Sequence, residues 1–243
     1  MAPPGIGLTV TLVVAHSPAA LAELLAEHFL CRVQAAAFRG ETIRVALSGG
    51  HTPEAFYQAL ARRRTECPWS ALEIFFSDER AVGPDHPDSN YGMAYRAWLK
   101  DAPPGTIIHR IAGEQGAGRA ARGYEALLAG APLDLALLGL GPDGHTASLF
   151  PDDTGWRTPE PVRAVPATLA RIARISLGMP VLMAARERWL IAQGPDKVLA
   201  LREALSANAD TPAATLLRQA PVTLWVDQIL AQGLCDAGSV IAH

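Results

Sequence analysis

Asp143 and His145 stand two residues apart, and a carboxylate so placed suits an imidazole that must act as a base. The carboxylate can orient the ring and stabilise the imidazolium as a proton arrives. The pair lies in Leu133-Asp134-Leu135-Ala136-Leu137-Leu138-Gly139-Leu140-Gly141-Pro142-Asp143-Gly144-His145-Thr146-Ala147-Ser148-Leu149-Phe150-Pro151. This stretch opens as an apolar run of the kind buried on both faces of a parallel sheet. It then breaks into a Gly/Pro/Asp sequence that must turn. A plainer reading also fits these residues: Asp143 shapes an Asx-turn and His145 begins a helix.

Three further polar clusters follow apolar runs. Ser48-Gly49-Gly50-His51-Thr52 comes after Thr42–Leu47 and leads into Pro53. Glycines after a strand, with Thr52 as N-cap and Pro53 at the first helical position, describe a turn whose outward N–H groups and helix dipole would suit an anion. An ordinary glycine turn is the alternative, and His51 would add a donor if it faced inward. Ser77-Asp78-Glu79-Arg80 follows Leu72–Phe76. Arg80 is a fixed charged fork suited to phosphate or carboxylate, and Asp78 or Glu79 could orient it or bind sugar hydroxyls; a surface ion pair would have the same sequence. Gly194-Pro195-Asp196-Lys197 follows Trp189–Ala192, and Lys197 read alone is an ordinary surface lysine.

The elements that carry these clusters alternate. Strands are expected at 10–14, 42–47, 72–76, 107–110, 133–138, 174–177, 189–192 and 222–226. Helices are expected over 19–38 (Ser17 as N-cap, Pro18 at N1), around 54–63, from Ser89 or Asn90, over 117–128, after Pro180, after Lys197 and from Asp227. Strand–helix alternation at this spacing implies βαβ units around a mostly parallel sheet, and ligands of such sheets bind beyond the carboxyl ends of the strands. The Pro-rich segment 158–166 reads as a connection. There is no internal repeat, and 1–243 is expected to form a single α/β domain.

Composition narrows the function classes. The 243 residues are 49% hydrophobic and 19% charged, with 21 basic and 24 acidic residues for a net charge of −3. No basic stripe marks a nucleic-acid binder, so an anionic substrate would be caught by a local pocket. Cys31, Cys67 and Cys235 are far apart, which argues against a disulfide framework or a zinc site. The Met1–Gly7 segment lacks signal-peptide character and no apolar run reaches membrane-spanning length. The expectation is a cytoplasmic protein with a small-molecule partner, without nucleic acid or membrane, as a monomer or small homo-oligomer.

Taken together, the motifs resemble the 6-phosphogluconolactonase family. They are Leu-Ser-Gly-Gly-x-Thr-Pro at 47–53, Asp-Glu-Arg at 78–80 with Ser89-Asn90-Tyr91-Gly92 behind it, and Leu-Gly-x-Gly-x-Asp-Gly-His-Thr-Ala-Ser-Leu-Phe-Pro at 138–151. Arg-Ile-Ser-Leu at 174–177 and Gly-Pro-Asp-Lys at 194–197 follow in the family's order. The resemblance implies a three-layer α/β/α, Rossmann-like fold that hydrolyses 6-phospho-D-glucono-1,5-lactone, the second step of the oxidative pentose phosphate pathway. It implies no metal and no cofactor. His145 matches the general base and Asp143 its acidic neighbour; Arg80 and Lys197 match the residues that hold the substrate phosphate, beside the 48–52 turn. Backbone N–H groups near Gly144 are the expected oxyanion donors. His51 departs from the small residue usual at its position. Ser148 has no nucleophile-elbow sequence around it, so a serine triad is not expected.

Two other functions share parts of this pattern. Glucosamine-6-phosphate deaminases carry an Asp-Gly-His loop of the type Asp-Gly-His-Ile-Ala-Phe-Asn-Glu, with an acid after the histidine; Thr146–Pro151 has none. A non-catalytic sugar-phosphate sensor would need a DNA-reading element, for which no sequence is evident.

Overall fold

The computed structural model describes residues 10–236. Met1–Gly7, read above for signal-peptide character, lies outside them. In chain order the elements are β1 (Val10–Ala15), α1 (Pro18–Phe38), β2 (Ile43–Leu47), α2 (His51–Arg62), β3 (Leu72–Phe76), β4 (Asp78–Arg80), α3 (Asn90–Ala97), β5 (Ile107–Ile108) and α4 (Ala117–Leu128). They continue with β6 (Leu135–Gly139), β7 (Val162–Val165), β8 (Arg174–Leu177), α5 (Met179–Ala184), β9 (Glu187–Ala192), α6 (Val198–Leu205), α7 (Pro212–Gln219), β10 (Val222–Asp227) and α8 (Gln228–Asp236).

Seven strands form one parallel sheet in the order β1-β10-β9-β6-β2-β3-β5. Successive residues of a strand face opposite sides. Val45, Ala46 and Leu47 are all fully buried, as are Ile74, Phe75 and Phe76, so helices cover both faces and the fold is a three-layer α/β/α sandwich. α1 shows how one layer forms. Ser17 Oγ accepts from Ala20 N at 3.2 Å, Pro18 occupies the first turn, and Leu21, Leu25, Phe29 and Val33 make a buried stripe at helical spacing. Phe29 meets Phe56 of α2 edge-on at 5.6 Å. Among the described residues no helix is long and apolar enough to cross a membrane.

The strand order places the site. From β2 the chain winds through β3 to β5 toward one edge; from β6 it winds through β9 and β10 toward the other. β2 and β6 are neighbours, so the loops after them part company and leave a crevice at the carboxyl edge, the usual ligand position in such sheets.

A second sheet, β4-β8-β7, is antiparallel and grows from the end of β3. Ser77 N still donates to Leu47 O at 2.7 Å, while Ser77 O already accepts from Leu177 N at 2.8 Å. The chain thereby turns off the main sheet and Asp78–Arg80 pairs with Ser176–Arg174.

Four sequence expectations need correction. Ser77–Arg80 is not simply a polar loop, since Asp78–Arg80 is β4. The 158–166 connection contains β7. α2 starts at His51 with Gly50 as N-cap, at φ +104°, a backbone conformation that favours glycine, so Thr52 is not the cap. α7, capped by Thr211 Oγ1 accepting from Ala214 N and carrying Pro212 in its first turn, was not anticipated.

Candidate active site

The loop after β6 is shaped before it is reactive. Gly144 takes φ +80°, which favours glycine, and Gly141 leaves no room for a side chain. A Cβ on Gly141 would come within 2.0 Å of His145 Nδ1. The His145 ring therefore packs directly on the backbone of its own loop, with Phe150 beside it at a centroid distance of 4.6 Å. Ala147 holds a left-handed φ of 49° in a turn closed by Leu149 N donating to Thr146 O at 3.0 Å, and the buried Ser148 follows.

Asp143 Oδ1 lies 2.5 Å from His145 Nδ1 and also accepts His145 N at 3.2 Å. The Asx-turn and the orienting carboxylate are thus one arrangement, and no helix begins at His145. Burial works to raise the Asp143 carboxyl, but the hydrogen bond and charge of the His145 ring outweigh it and bring the group down to about 2. An ionised carboxylate only accepts, so Nδ1 must carry the proton and the neutral ring keeps its lone pair on Nε2. Nε2 has no protein hydrogen-bond partner among the described residues.

β4 carries two acids with different tasks. Glu79 is buried and accepts from Arg80 N at 2.8 Å, Asn90 N at 2.7 Å, Tyr91 N at 2.8 Å and Ser89 Oγ at 2.9 Å. Burial pushes its carboxyl up and these four donors pull it back. Glu79 is a brace that ties the start of α3 to β4. Asp78, equally buried, accepts from Ser148 Oγ at 2.5 Å and Asn90 Nδ2 at 3.2 Å, which ties β4 to the His145 loop. Asn90 in turn abuts Gly49, where a Cβ would stand 1.8 Å from Asn90 Oδ1. Tyr57, fully buried, donates to Ser48 O at 2.8 Å and accepts from Ser48 N at 3.1 Å, pinning the turn after β2.

These loops enclose a cavity of about 220 Å³ at the β2/β6 crevice. Of the residues singled out in the sequence, Ser48, Gly49, Gly50, Asp78, Arg80, His145 and Lys197 line it. Asp143 contacts His145 from behind. His51 and Thr52 do not line the cavity; the His51 side chain is fully exposed, with Nδ1 4.0 Å from Glu54 Oε2. Gly144 does not line it either, and its N–H donates to Gly141 O at 3.1 Å.

The structure adds Asn90, Ala147 and Arg174 to the lining. Arg174 begins β8 directly opposite Arg80 of β4. Two like charges facing one another across strands destabilise a sheet unless an anion or a carboxylate offsets them. Arg80 donates to Asp88 O and Arg174 Nη1 lies 3.9 Å from Asp78 Oδ2, yet among the described residues the buried Nε of each arginine has no partner, nor has the buried Ser48 Oγ. Burial lowers the Arg174 guanidinium from its ordinary value, with Asp78 opposing that shift.

Lys197 closes the ring of cations from the β9 side. Gly194, at φ +85°, starts its turn and donates its N–H to the buried Asp227 Oδ1 at 3.1 Å. Asp227 Oδ1 also accepts from Leu230 N at 3.1 Å, so one carboxylate fixes both this corner and the start of α8.

A base with a free lone pair, in a cavity that three cations and unpaired donors also line, can activate water against an anionic substrate. A larger groove of about 840 Å³ lies elsewhere, against α4 and α5, but its lining is apolar apart from Arg122 and Glu125 and holds no base with an orienting partner.

The family model described as glucosamine-6-phosphate isomerases/6-phosphogluconolactonase matches residues 16–225, which include every cavity-lining residue. A 6-phosphogluconolactonase of Rhizobium meliloti is 35% identical over 223 residues, covering 87% of this chain and 95% of that protein. One from Streptomyces coelicolor is 35% identical over 242 residues, covering 90% and 92%. The solved structure of 6-phosphogluconolactonase from Trypanosoma brucei superposes with a TM-score of 0.82 at 26% identity, over 94% of this chain and all of that one. The chain belongs to the glucosamine-6-phosphate isomerase/6-phosphogluconolactonase family, on its 6-phosphogluconolactonase side.

Proposed function

We propose that the cavity hydrolyses 6-phospho-D-glucono-1,5-lactone to 6-phosphogluconate by general-base activation of water. The observation that carries this reading is the Asp143–His145 pair, with Nε2 unpartnered, beside a cavity lined by Arg80, Arg174 and Lys197. A phosphate monoester brings about 1.5–2 negative charges at neutral pH. Arg80, Lys197 and the glycine turn ahead of α2 supply charge and backbone donors to hold it.

With the phosphate held, the lactone carbonyl presents to His145. Water bonds to the carbonyl carbon as its proton passes to Nε2, and the C=O electron pair moves onto oxygen. On collapse the pair returns, the ring C–O bond breaks, and the leaving oxygen takes the proton from the imidazolium. Asp143 stays ionised throughout and stabilises that imidazolium. A lactone is an activated ester, so no covalent nucleophile is required. Ser148 is buried with its hydroxyl donating to Asp78 and has no histidine bonded to it among the described residues; it serves as a structural link.

General-base help contributes about 10²–10⁴-fold, and positioning by the phosphate adds to it. The Thr146–Pro151 segment has no carboxylate, unlike the deaminase loop, and this favours the lactonase reading over ring-opening deamination. The setting is a cytoplasmic sugar-phosphate pathway with a small-molecule substrate. The test is the opening rate of freshly generated 6-phosphogluconolactone with and without protein, after subtraction of spontaneous hydrolysis. A protein-dependent rate is expected; its absence, with turnover of glucosamine 6-phosphate instead, would replace the reading.

A further inference from the structure

The reaction places negative charge on the lactone carbonyl oxygen, and of the backbone N–H groups anticipated near Gly144, those of Gly141, Gly144 and His145 already have acceptors. Gly144 N–H is occupied by Gly141 O. We propose that the Arg174 guanidinium is the group that stabilises this oxyanion, making it a catalytic residue distinct from the phosphate-holding Arg80 and Lys197. The proposal rests on the lactonase reading above.

Placement comes first. Arg174 lines the cavity, and its Cζ lies 5.6 Å from the centroid of the Phe150 ring, the same ring that carries His145 at 4.6 Å. Base and guanidinium are therefore seated on one side chain. Arg80, by contrast, is tied to the Asp88 carbonyl, on the chain leading to α3. Arg171 lies nearer Phe150, at 3.8 Å, but is paired with Asp152 at 2.8 Å and does not line the cavity.

Preorganisation comes second. An oxyanion donor is effective when it is held in place and desolvated before the charge appears. Arg174 is anchored in β8, its side chain is mostly buried at 19% exposure, and its nearest carboxylate is Asp78 at 3.9 Å. Asp78 is itself immobilised by Ser148 Oγ and Asn90 Nδ2. At 3.9 Å this ion pair is too long to be a hydrogen bond, so it steadies the guanidinium without consuming its donors. The buried Nε remains unpartnered. As the C=O pair moves onto oxygen, an N–H of Arg174 meets the new charge, and releases it when the pair returns and the ring C–O bond breaks.

The experiment compares wild type, Arg174→Met and Arg174→Lys in steady-state turnover of 6-phosphogluconolactone, with inorganic phosphate as competitive inhibitor. Wild-type turnover is measured first; without it the lactonase reading itself fails, separately from this one. Removing an oxyanion donor costs about 10²–10³-fold, so Arg174→Met is expected to lose that much in kcat while KM and phosphate inhibition stay near wild type. A raised KM with weakened phosphate inhibition and preserved kcat would move Arg174 to the phosphate subsite and overturn the proposal. Arg174→Lys keeps the charge and guards against a misfolded Met variant. The shorter-reaching ammonium is expected to leave kcat at least about tenfold down with phosphate inhibition intact, and full kcat in this variant would likewise overturn the proposal.

Discussion

The arginines at the amino end of the main sheet and those of the small sheet beyond its carboxyl end have opposite fates. Arg44 enters β2 at its amino end, and its guanidinium is spent: Nε meets Glu73 at 3.1 Å, Nη1 donates to Ala131 O and Pro132 O, and Nη2 to Leu128 O. Arg188, in β9, donates to the carbonyls of Pro221, Met183 and Ala185. At the carboxyl end, Arg80 and Arg174 face one another across β4 and β8, each with a buried, unpartnered Nε. Saturated arginines hold loops together; unsaturated ones facing a cavity hold charge in reserve for a ligand, because a buried donor left unmade is costly. The difference lies in what surrounds each side chain, and residue type alone does not reveal it.

The largest effect expected on the reactive end comes from a change that removes no polar group. Gly141→Ala would thrust a methyl into the His145 ring, which must then leave its place against Asp143. Turnover should fall by about 10²–10⁴-fold, as for loss of the base itself. Phosphate inhibition of whatever activity remains should be unchanged, which kinetics on the purified variant will check.

The arginine contrast can be tested head to head. Arg80→Met removes a charge-assisted contact worth about 1.5–3 kcal/mol, so KM should rise roughly ten- to a hundredfold with the melting temperature nearly unaltered. Arg44→Met takes a donor from three carbonyls and from Glu73, which keeps His109 Nε2 at 2.9 Å, so chemical denaturation should report a stability loss of about 1–3 kcal/mol with KM unchanged. If both variants altered the same quantity, the division between the two ends would not hold.

A smaller effect follows from Asp143. Its carboxyl is depressed to about 2, so the stabilisation it contributes is fully present above its ordinary unfolded value and is lost as pH falls through about 2. The stability gap between wild type and Asp143→Asn should close progressively as pH falls below about 4. Its size is modest because the side chain is 48% exposed.

Much of this architecture was legible in the sequence, and the misses share a cause. α4 appears over 117–128 as expected because its pattern is local, and the apolar runs of β2, β3 and β6 announce strands buried on both faces. β4 was hidden because Asp78-Glu79-Arg80 has no apolar character of its own; it is a strand only through its pairing with β8. β7 (Val-Arg-Ala-Val) was hidden by the prolines around it, and it too is a strand through its pairing with β8. α7 did carry a readable signal, Thr211-Pro212, the same cap-and-proline arrangement that marked α1 at Ser17-Pro18. At Thr52-Pro53 that arrangement misled, since Gly50 turns the chain two residues earlier.

Within the site, His145, Asp143 and Arg80 were readable as polar groups after apolar strands, whereas Lys197 read alone is an ordinary surface lysine and was singled out only by the family resemblance. Arg174 was not readable, because it opens its strand and becomes part of the cavity only through the antiparallel crossing that sets it against Arg80. His51, singled out for its place beside two glycines, points into solvent.

The central claim is that His145 is the base and that the cations bind without it. The most direct measurement is turnover of 6-phosphogluconolactone by His145→Ala, set beside calorimetric binding of 6-phosphogluconate to the same protein. The account predicts a fall in kcat of about 10²–10⁴-fold with product affinity held within a few-fold of wild type. Turnover at the wild-type rate would contradict it.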